Sequence, residues 1–128
     1  MNKSVVIIGV VMLVVAIILG AFGAHALKEH LTPEKLNTFE VGVRYQIYHG
    51  LAFLTLGMNA DKVQFSITLV TRLIFAGLLM FSGSIYLLST QDLSGVSMKF
   101  MGPVTPIGGL LIISGWVLFL FKIIRSKA

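Results

Sequence analysis

The sequence predicts an all-α protein, a four-helix transmembrane bundle, and three observations support this prediction. Hydrophobic residues make up 56% of the 128 residues and charged residues only 12%, about half the charged fraction of a typical soluble domain. Four apolar stretches approach the roughly 20 residues that a helix needs to cross a bilayer. Charged residues concentrate in the connections and at the ends of these stretches. We therefore expect one integral membrane domain over residues 1–128, with spans at about 5–26, 41–58, 67–89 and 106–124.

The first span is strongly apolar and ends in small residues. Gly20, Gly23 and Ala24 lie on one helical face near its end, an arrangement that favours close contact with a second helix. Lys3, the apolar run and these small residues also resemble a signal peptide with its cleavage region. The run is longer than the usual signal-peptide core of about 7–15 residues. We therefore expect a retained helix, and cleavage is the alternative.

Two helix starts are marked by their local sequence. Thr32-Pro33-Glu34 combines an N-cap residue, a proline at the first helical position and an acid in the first turn. A helix could begin at Pro33 and run unbroken into the second span, or a short interfacial helix could bend into it. Thr105-Pro106 repeats the start signal before the fourth span. That span ends in basic residues that suit a helix C-terminus and a headgroup layer: Lys122, Arg125 and Lys127.

The third and fourth spans contain one charged residue and several small ones inside their apolar stretches. Arg72 lies near one end of the third span, where its long side chain can reach the interface. In the fourth span, small residues mark expected packing positions, and a single tryptophan is an expected lipid or interface contact: Gly108, Gly109, Ser114, Gly115 and Trp116.

The second span carries most of the polar side chains of the apolar regions. With 100° per residue, half of its circumference holds Glu40, Arg44, Tyr45, Tyr48, His49 and Thr55, and Gln46 lies just beyond that half. Glu40 and Arg44 are spaced for an i,i+4 ion pair in the favourable order. His49 follows Glu40 by about 13 Å along the helix. At that depth its ring nitrogens need hydrogen-bond partners, and Tyr45 and His25 are the expected neighbours.

The candidate site predicted from the sequence is therefore one polar cluster at the ends of the first two spans: His25, Glu40, Arg44, Tyr45, Gln46, Tyr48 and His49. Ionisable residues inside a membrane often mark function. An interfacial anchor formed by an ion pair and a tyrosine belt, or a polar contact that fixes helix register, explains the same residues. No complete catalytic set accompanies them, and we expect no catalytic residues.

Several kinds of site are excluded or disfavoured by the residues. The chain has no cysteine, so disulfides and thiolate sites are impossible. A zinc site needs three or four ligands, and His25, His49 and Glu40 form no metal-binding motif, so we expect no metal and no cofactor. Haem held between His25 and His49 is a disfavoured alternative. The net charge of +5 lies at helix ends, which favours membrane lipids over nucleic acid as partners.

Orientation follows from the basic residues near the span ends. Six of them fall on the side of the two termini and the 59–66 connection, against four on the other side. This difference places both termini in the cytoplasm.

Four motifs together resemble a known family. They are GAFGAHAL at 20–27, VRYQIYHGLA at 43–52, FSGSIYLL at 81–88 and TPIGGLLIISGW at 105–116. In this order they resemble the domain-of-unknown-function 423 family of small bacterial membrane proteins, to which the animal transmembrane protein 256 is similar. The resemblance implies a four-helix membrane protein with no assigned reaction. It also implies that His25, Arg44, Tyr45, Gln46, Tyr48 and His49 are hallmark polar positions of the family.

The function expected from the sequence is that of a small, non-enzymatic integral membrane protein in the cell membrane. Its polar cluster would bind a lipid headgroup, a small ligand or a partner protein. The partner could be another copy of the same chain, which would give a homo-oligomer. An intramembrane enzyme acting on lipid or lipoprotein is the first alternative, with His49 or His25 as the base. An oligomeric small-molecule transporter is the second, and it requires a polar path to both faces of the membrane.

Overall fold

The computed structural model describes residues 1–127, and within them it contains helices and turns but no β-strand. This confirms the predicted all-α class. The four long helices and one short helix, in chain order, are α1 (Lys3–Ala24), α2 (Pro33–Met58), α3 (Thr68–Ser89), α4 (Gln91–Ser94) and α5 (Val104–Arg125). Short 3₁₀ turns occupy the connections at Leu27–Glu29, Ala60–Lys62 and Lys99–Met101.

The predicted start of α2 is confirmed, and that of α5 is shifted. Thr32 caps α2, since its hydroxyl accepts a hydrogen bond from the backbone N–H of Lys35 at 3.3 Å, and α2 continues unbroken from Pro33 into the apolar stretch. In contrast, α5 begins at Val104, directly after Pro103. The Thr105 side chain is therefore inside the helix, where its hydroxyl lies 2.5 Å from that of Ser84 in α3.

The long helices form two antiparallel pairs, α1 with α2 and α3 with α5, and α2 packs against α3. Glycines let the backbones of each pair touch. A Cβ at Gly9 of α1 would lie 2.9 Å from the Gly50 carbonyl oxygen of α2. A Cβ at Gly77 of α3 would lie 2.7 Å from the Gly108 oxygen of α5. Larger side chains at these positions would push the helices apart, which is the packing logic of small residues in membrane helices.

The predicted packing residues divide into contact and non-contact positions. Gly23 lies against the Phe39 ring, where an added Cβ would lie 3.1 Å from a ring carbon, and Gly108 and Gly115 lie against α3. Ala24 and Ser114, in contrast, are exposed. Neighbouring small residues on one helix turn through 100° per residue, so only some of them face the partner helix.

Three helical segments are long and apolar enough to cross a membrane: Lys3–Glu29, Thr68–Ser89 and Lys99–Arg125. They contain α1, α3 and α5. The second helix is absent from this set because polar residues interrupt even its apolar half, residues 41–58, which contains Arg44, Gln46 and His49. The predicted four-helix transmembrane bundle therefore stays a prediction for α2.

Polar contacts hold the connections at both ends of the helices. Lys35, at the start of α2, forms an ion pair with Asp92 of α4. At the opposite end, the Met1 amino group donates to the Asp61 carboxylate at 3.0 Å, and this hydrogen bond holds the pKa of Asp61 below its usual value. Both pairs are exposed, so each contributes little to stability.

Close packing at Gly108 yields a first test with a matched control. A Cβ at Gly108 would lie 2.5 Å from the Phe81 backbone nitrogen, whereas a Cβ at Gly83 meets nothing within 4 Å. We expect Gly108→Ala to destabilise the protein by about 1–3 kcal/mol through overpacking. Gly83→Ala should be neutral or stabilising by up to about 1 kcal/mol, because alanine favours helix. Thermal unfolding of both variants in detergent measures this, and equal effects would contradict the packing described.

Candidate functional site

His49 is buried in α2 and has both ring nitrogens engaged. Nδ1 lies 2.7 Å from the Tyr45 carbonyl oxygen, one turn earlier in the same helix. Nε2 accepts a hydrogen bond from the indole N–H of Trp116 in α5 at 3.1 Å. A carbonyl only accepts, and the indole only donates, so the proton sits on Nδ1 and the Nε2 lone pair is occupied. The imidazole thus joins α2 to α5 and has no nitrogen left for a proton transfer or a metal.

Gln46 is the buried polar residue that joins three helices. Its amide nitrogen donates to the Met12 carbonyl oxygen of α1 at 2.9 Å. Its amide oxygen accepts from the Tyr86 hydroxyl of α3 at 2.7 Å. Close by, the Ser82 hydroxyl of α3 donates to the Gly42 carbonyl oxygen of α2 at 2.9 Å. These bonds form a polar contact at the centre of α1, α2 and α3, and all of them join helix to helix.

His25 does not join this arrangement. It is the exposed residue directly after α1. In the antiparallel pair, a Cβ at Gly50 would lie against Leu13 of α1, so His49 lies near the level of Leu13. His25 is twelve residues further along α1, about 18 Å away along the helix axis. The expectation that His25 neighbours His49 is wrong, and no haem could be held between them.

Glu40 and Arg44 do not form the expected ion pair. Within residues 1–127, side-chain ion pairs within 4.0 Å involve other residues. Both side chains are exposed on the outer surface of α2, as is Tyr48. Across the described part of the chain, none of these three side chains has a hydrogen-bond partner, unlike Gln46 and His49.

Six exposed residues of α2 form one continuous stripe along the helix, which we call the α2 stripe: Glu40, Arg44, Tyr48, Leu51, Thr55 and Met58. Steps of three and four residues separate its members, and Arg44, Leu51 and Met58 are each seven apart. This spacing is that of a helix–helix seam in a left-handed coiled coil. Tyr45 borders the stripe and packs its ring against Phe81 of α3, with centroids 4.9 Å apart.

The seven residues predicted as one cluster therefore occupy three places. Gln46 and His49 are buried in separate helix contacts, Tyr45 borders the α2 stripe that contains Glu40, Arg44 and Tyr48, and His25 lies apart. Within residues 1–127, every buried side-chain nitrogen or oxygen has a partner, and no group of three or more His, Asp or Glu residues converges on a common point.

A mostly apolar groove lies between α1 and α3, next to Gln46. Its volume is about 320 Å³. Met12, Val15 and Leu79 form part of its walls, and Gln46 and Tyr86 lie at its floor. The two floor groups are bonded to each other. The groove thus offers mainly an apolar surface.

Three partner residues of the buried contacts lie outside the predicted cluster: Ser82, Tyr86 and Trp116. The expectation that Trp116 is a lipid or interface contact misses its polar atom: the side chain is half-buried, and its indole N–H donates to His49. Periodicity within one helix reveals which residues share a face, but it does not reveal which helix that face meets. A buried tryptophan or tyrosine usually finds a partner for its polar atom, and this rule is the signal that points to Tyr86 and Trp116.

Comparisons with known proteins give a family match and several membrane-protein relatives. The family described as "Protein of unknown function (DUF423)" matches residues 19–109. A UPF0382 membrane protein of Staphylococcus aureus is 37% identical over 118 residues, which cover 92% of this chain and 93% of that protein. The UPF0382 membrane protein YwdK of Bacillus subtilis is 34% identical over 125 residues, covering 96% and 98%. No solved structure matches the chain.

The Gln46–Tyr86 contact is testable with a double-mutant cycle. We expect Gln46→Leu and Tyr86→Phe each to destabilise the protein, because each leaves a buried polar partner unsatisfied. The coupling energy between the two should be about 0.6–1.7 kcal/mol, the range of hydrogen bonds between membrane helices. Tyr45→Phe is the control, since it removes an exposed hydroxyl outside the α2 stripe. Unfolding in mixed micelles measures all four variants, and additive effects at 46 and 86 would show that the bond contributes nothing.

Proposed function

The chain belongs to the DUF423 family, whose relatives are integral membrane proteins, and we propose that it is a non-enzymatic four-helix membrane protein that assembles with a second copy of itself through the α2 stripe. The observation behind this proposal is the outward-facing position of Glu40 and Arg44. The two buried candidates, Gln46 and His49, already have partners inside the protein. The stripe therefore contains the residues of the predicted cluster that remain free to contact a partner.

The antiparallel packing supports α2 as the fourth membrane span. Both α1 and α3 lie antiparallel to α2, so they run in the same direction. If α1 and α3 both cross the bilayer, the chain has to return across it between them, and α2 is the helix in that position. Its 26 residues give a length of about 39 Å, enough for the hydrocarbon core of about 30 Å. The excess of basic residues then places both termini in the cytoplasm.

The depth of Arg44 makes an uncovered α2 stripe unfavourable. The neighbouring Val43 is in contact distance of Gly20 in α1, so Arg44 lies level with that part of α1. There α1 exposes large apolar side chains, including Ile18 at 61% and Phe22 at 54%. Arg44 therefore lies inside the apolar belt. At the bilayer centre an arginine costs about 2.5–3.5 kcal/mol on insertion scales. Arg44 lies nearer the interface, so its cost is smaller, and a protein partner of opposite charge lowers it further.

The stripe is complementary to itself. In a dimer with its two-fold axis along the membrane normal, α2 runs parallel to the partner's α2, and each residue is near its own copy. Arg44 lies one turn, about 6 Å, from the level of Glu40. Side chains on a helix lean toward its N-terminus, so Arg44 leans toward the level of the partner's Glu40. Two symmetric ion pairs result, and below them Leu51 and Met58 continue the coiled-coil seam.

Single-cysteine cross-linking tests this interface directly, because the chain has no native cysteine. We expect Leu51→Cys to form a disulfide-linked dimer in membranes, since a residue on the seam of a parallel dimer lies beside its own copy. Leu79→Cys of α3 and Ile113→Cys of α5 are matched controls, because both residues are also exposed, at 60% and 59%. Equal cross-linking at all three positions, or none at 51, would contradict the interface.

Charge exchange tests the ion pairs separately from the packing. Glu40→Arg and Arg44→Glu should each weaken the dimer about tenfold or more, because each removes charge-assisted hydrogen bonds of about 1.5–3 kcal/mol. The double variant Glu40→Arg/Arg44→Glu restores opposite charges and should recover the dimer. Fluorescence energy transfer between labelled copies in vesicles measures the association. A double variant as weak as the single ones would show that Arg44 extends to the headgroups instead of pairing.

A further inference from the structure

A basic cleft lies at the C-terminal end of α5, at the opposite end of the helices from Glu40 and Arg44. Its volume is about 440 Å³. Phe65 and Gln64 of the α2–α3 connection form one side, and the last turns of α5 and the residues after it form the other. Three cationic side chains line the cleft, and no acidic residue is among its lining residues: Lys122, Arg125 and Lys127.

Aromatic rings position two of these cations. The Lys122 ammonium lies 5.6 Å from the centroid of the Phe65 ring, and the Arg125 guanidinium lies 4.2 Å from that of Phe121. Both distances are in the range of cation–π contacts. The ion pairs in the described part of the chain involve other residues, so these two cations keep their charge available. Attraction to the helix C-terminus explains a basic residue in the last turn, but it does not explain a cleft whose opposite wall comes from another connection.

The cleft combines charge with an apolar wall. Phe65, Leu118 and Phe121 form its apolar part, and exposed apolar side chains continue from Phe121 back along α5 through Val117 and Ile113. A soluble anion would use only the cationic part. A molecule with a phosphate group joined to a hydrocarbon chain would use both parts, with the phosphate between the cations and the chain along α5.

From this arrangement we propose that the cleft binds the headgroup phosphate of an anionic phospholipid. The Lys122 and Arg125 side chains contact the phosphate oxygens, and Gln64 contributes amide N–H donors. One acyl chain of the lipid lies against Leu118 and Phe121. Basic pockets at the ends of membrane helices are suited to such headgroups, since each cation near an anionic surface favours binding. This site does not depend on the proposed dimer.

The single tryptophan of the chain makes the proposal measurable. Trp116 faces α2, where its indole donates to His49, so Trp116→Phe/Val117→Trp moves the tryptophan to the exposed face of α5, one turn from Phe121. A brominated acyl chain that lies against Phe121 should therefore quench the tryptophan at position 117, and all further variants are made in this background. The experiment reconstitutes the protein in phosphatidylcholine vesicles that contain a minor fraction of either dibrominated phosphatidylglycerol or dibrominated phosphatidylcholine. We expect stronger quenching by the anionic lipid at equal mole fraction.

Charge-matched variants separate the site from general attraction to a protein of positive net charge. Lys122→Gln/Arg125→Gln should lose the preference for the anionic lipid, by about fivefold in relative affinity for each cation removed. Lys28→Gln/Lys99→Gln removes the same amount of charge at the other end of the helices, and this variant should retain the preference for the anionic lipid. Circular dichroism verifies that both variants fold. Equal quenching by the two lipids, or equal loss in both variants, would overturn the proposal.

A competition measurement distinguishes lipid from soluble anion. Inorganic phosphate is added to the vesicles, and sodium chloride at the same ionic strength is the control. We expect the two salts to reduce quenching equally, because the acyl chain holds the lipid in place. Specific displacement by phosphate would overturn the assignment to a phospholipid and identify the cleft as a site for soluble phosphate.

Discussion

Polar groups in a bilayer need partners within the protein, and in the proposed four-span arrangement α2 is the helix in which this constraint is most demanding. The hydrocarbon core has no water to satisfy a donor or acceptor. Gln46 and His49 meet the requirement through Met12, Tyr86, Tyr45 and Trp116. These bonds run from α2 to each of the other three long helices or along α2 itself. The helix with the most polar side chains is thereby the one that holds the bundle together.

The same constraint applies to the polar residues of α2 that have no partner inside the protein. Glu40, Arg44 and Tyr48 point outward in a stripe with coiled-coil spacing. The glycine contacts of α1 with α2 fix this direction, because Gly50 and Gly57 press α1 against the opposite side of the helix. Close packing inside the protomer and charge on its outer surface are thus two consequences of one helix orientation. In the proposed dimer, Glu40 and Arg44 of a second copy would pair with Arg44 and Glu40 of this surface.

Much of this fold follows from the sequence by simple rules, and the candidate site follows only in part. Apolar runs and the Thr32-Pro33 signal predict the helices, since these depend on local sequence. The wheel of α2 places Arg44 and His49 on one half, but the contact with Trp116 of α5 engages His49 while Arg44 stays exposed. The pairing of His49 with Trp116 depends on how α3, which packs against both α2 and α5, positions these two helices, and neither helix encodes this alone. The antiparallel register likewise separates His25 from His49.

The oligomeric mass of the protein in lipid tests the central claim most directly. Native mass spectrometry of the protein released from nanodiscs, at several protein-to-lipid ratios, counts its copies. We expect a dimer of twice 13.9 kDa that persists as the protein is diluted in lipid and that Arg44→Ala converts to a monomer. A wild-type protein that is monomeric at every ratio would contradict it, and Arg44 would then be a residue that reaches the interface on its own.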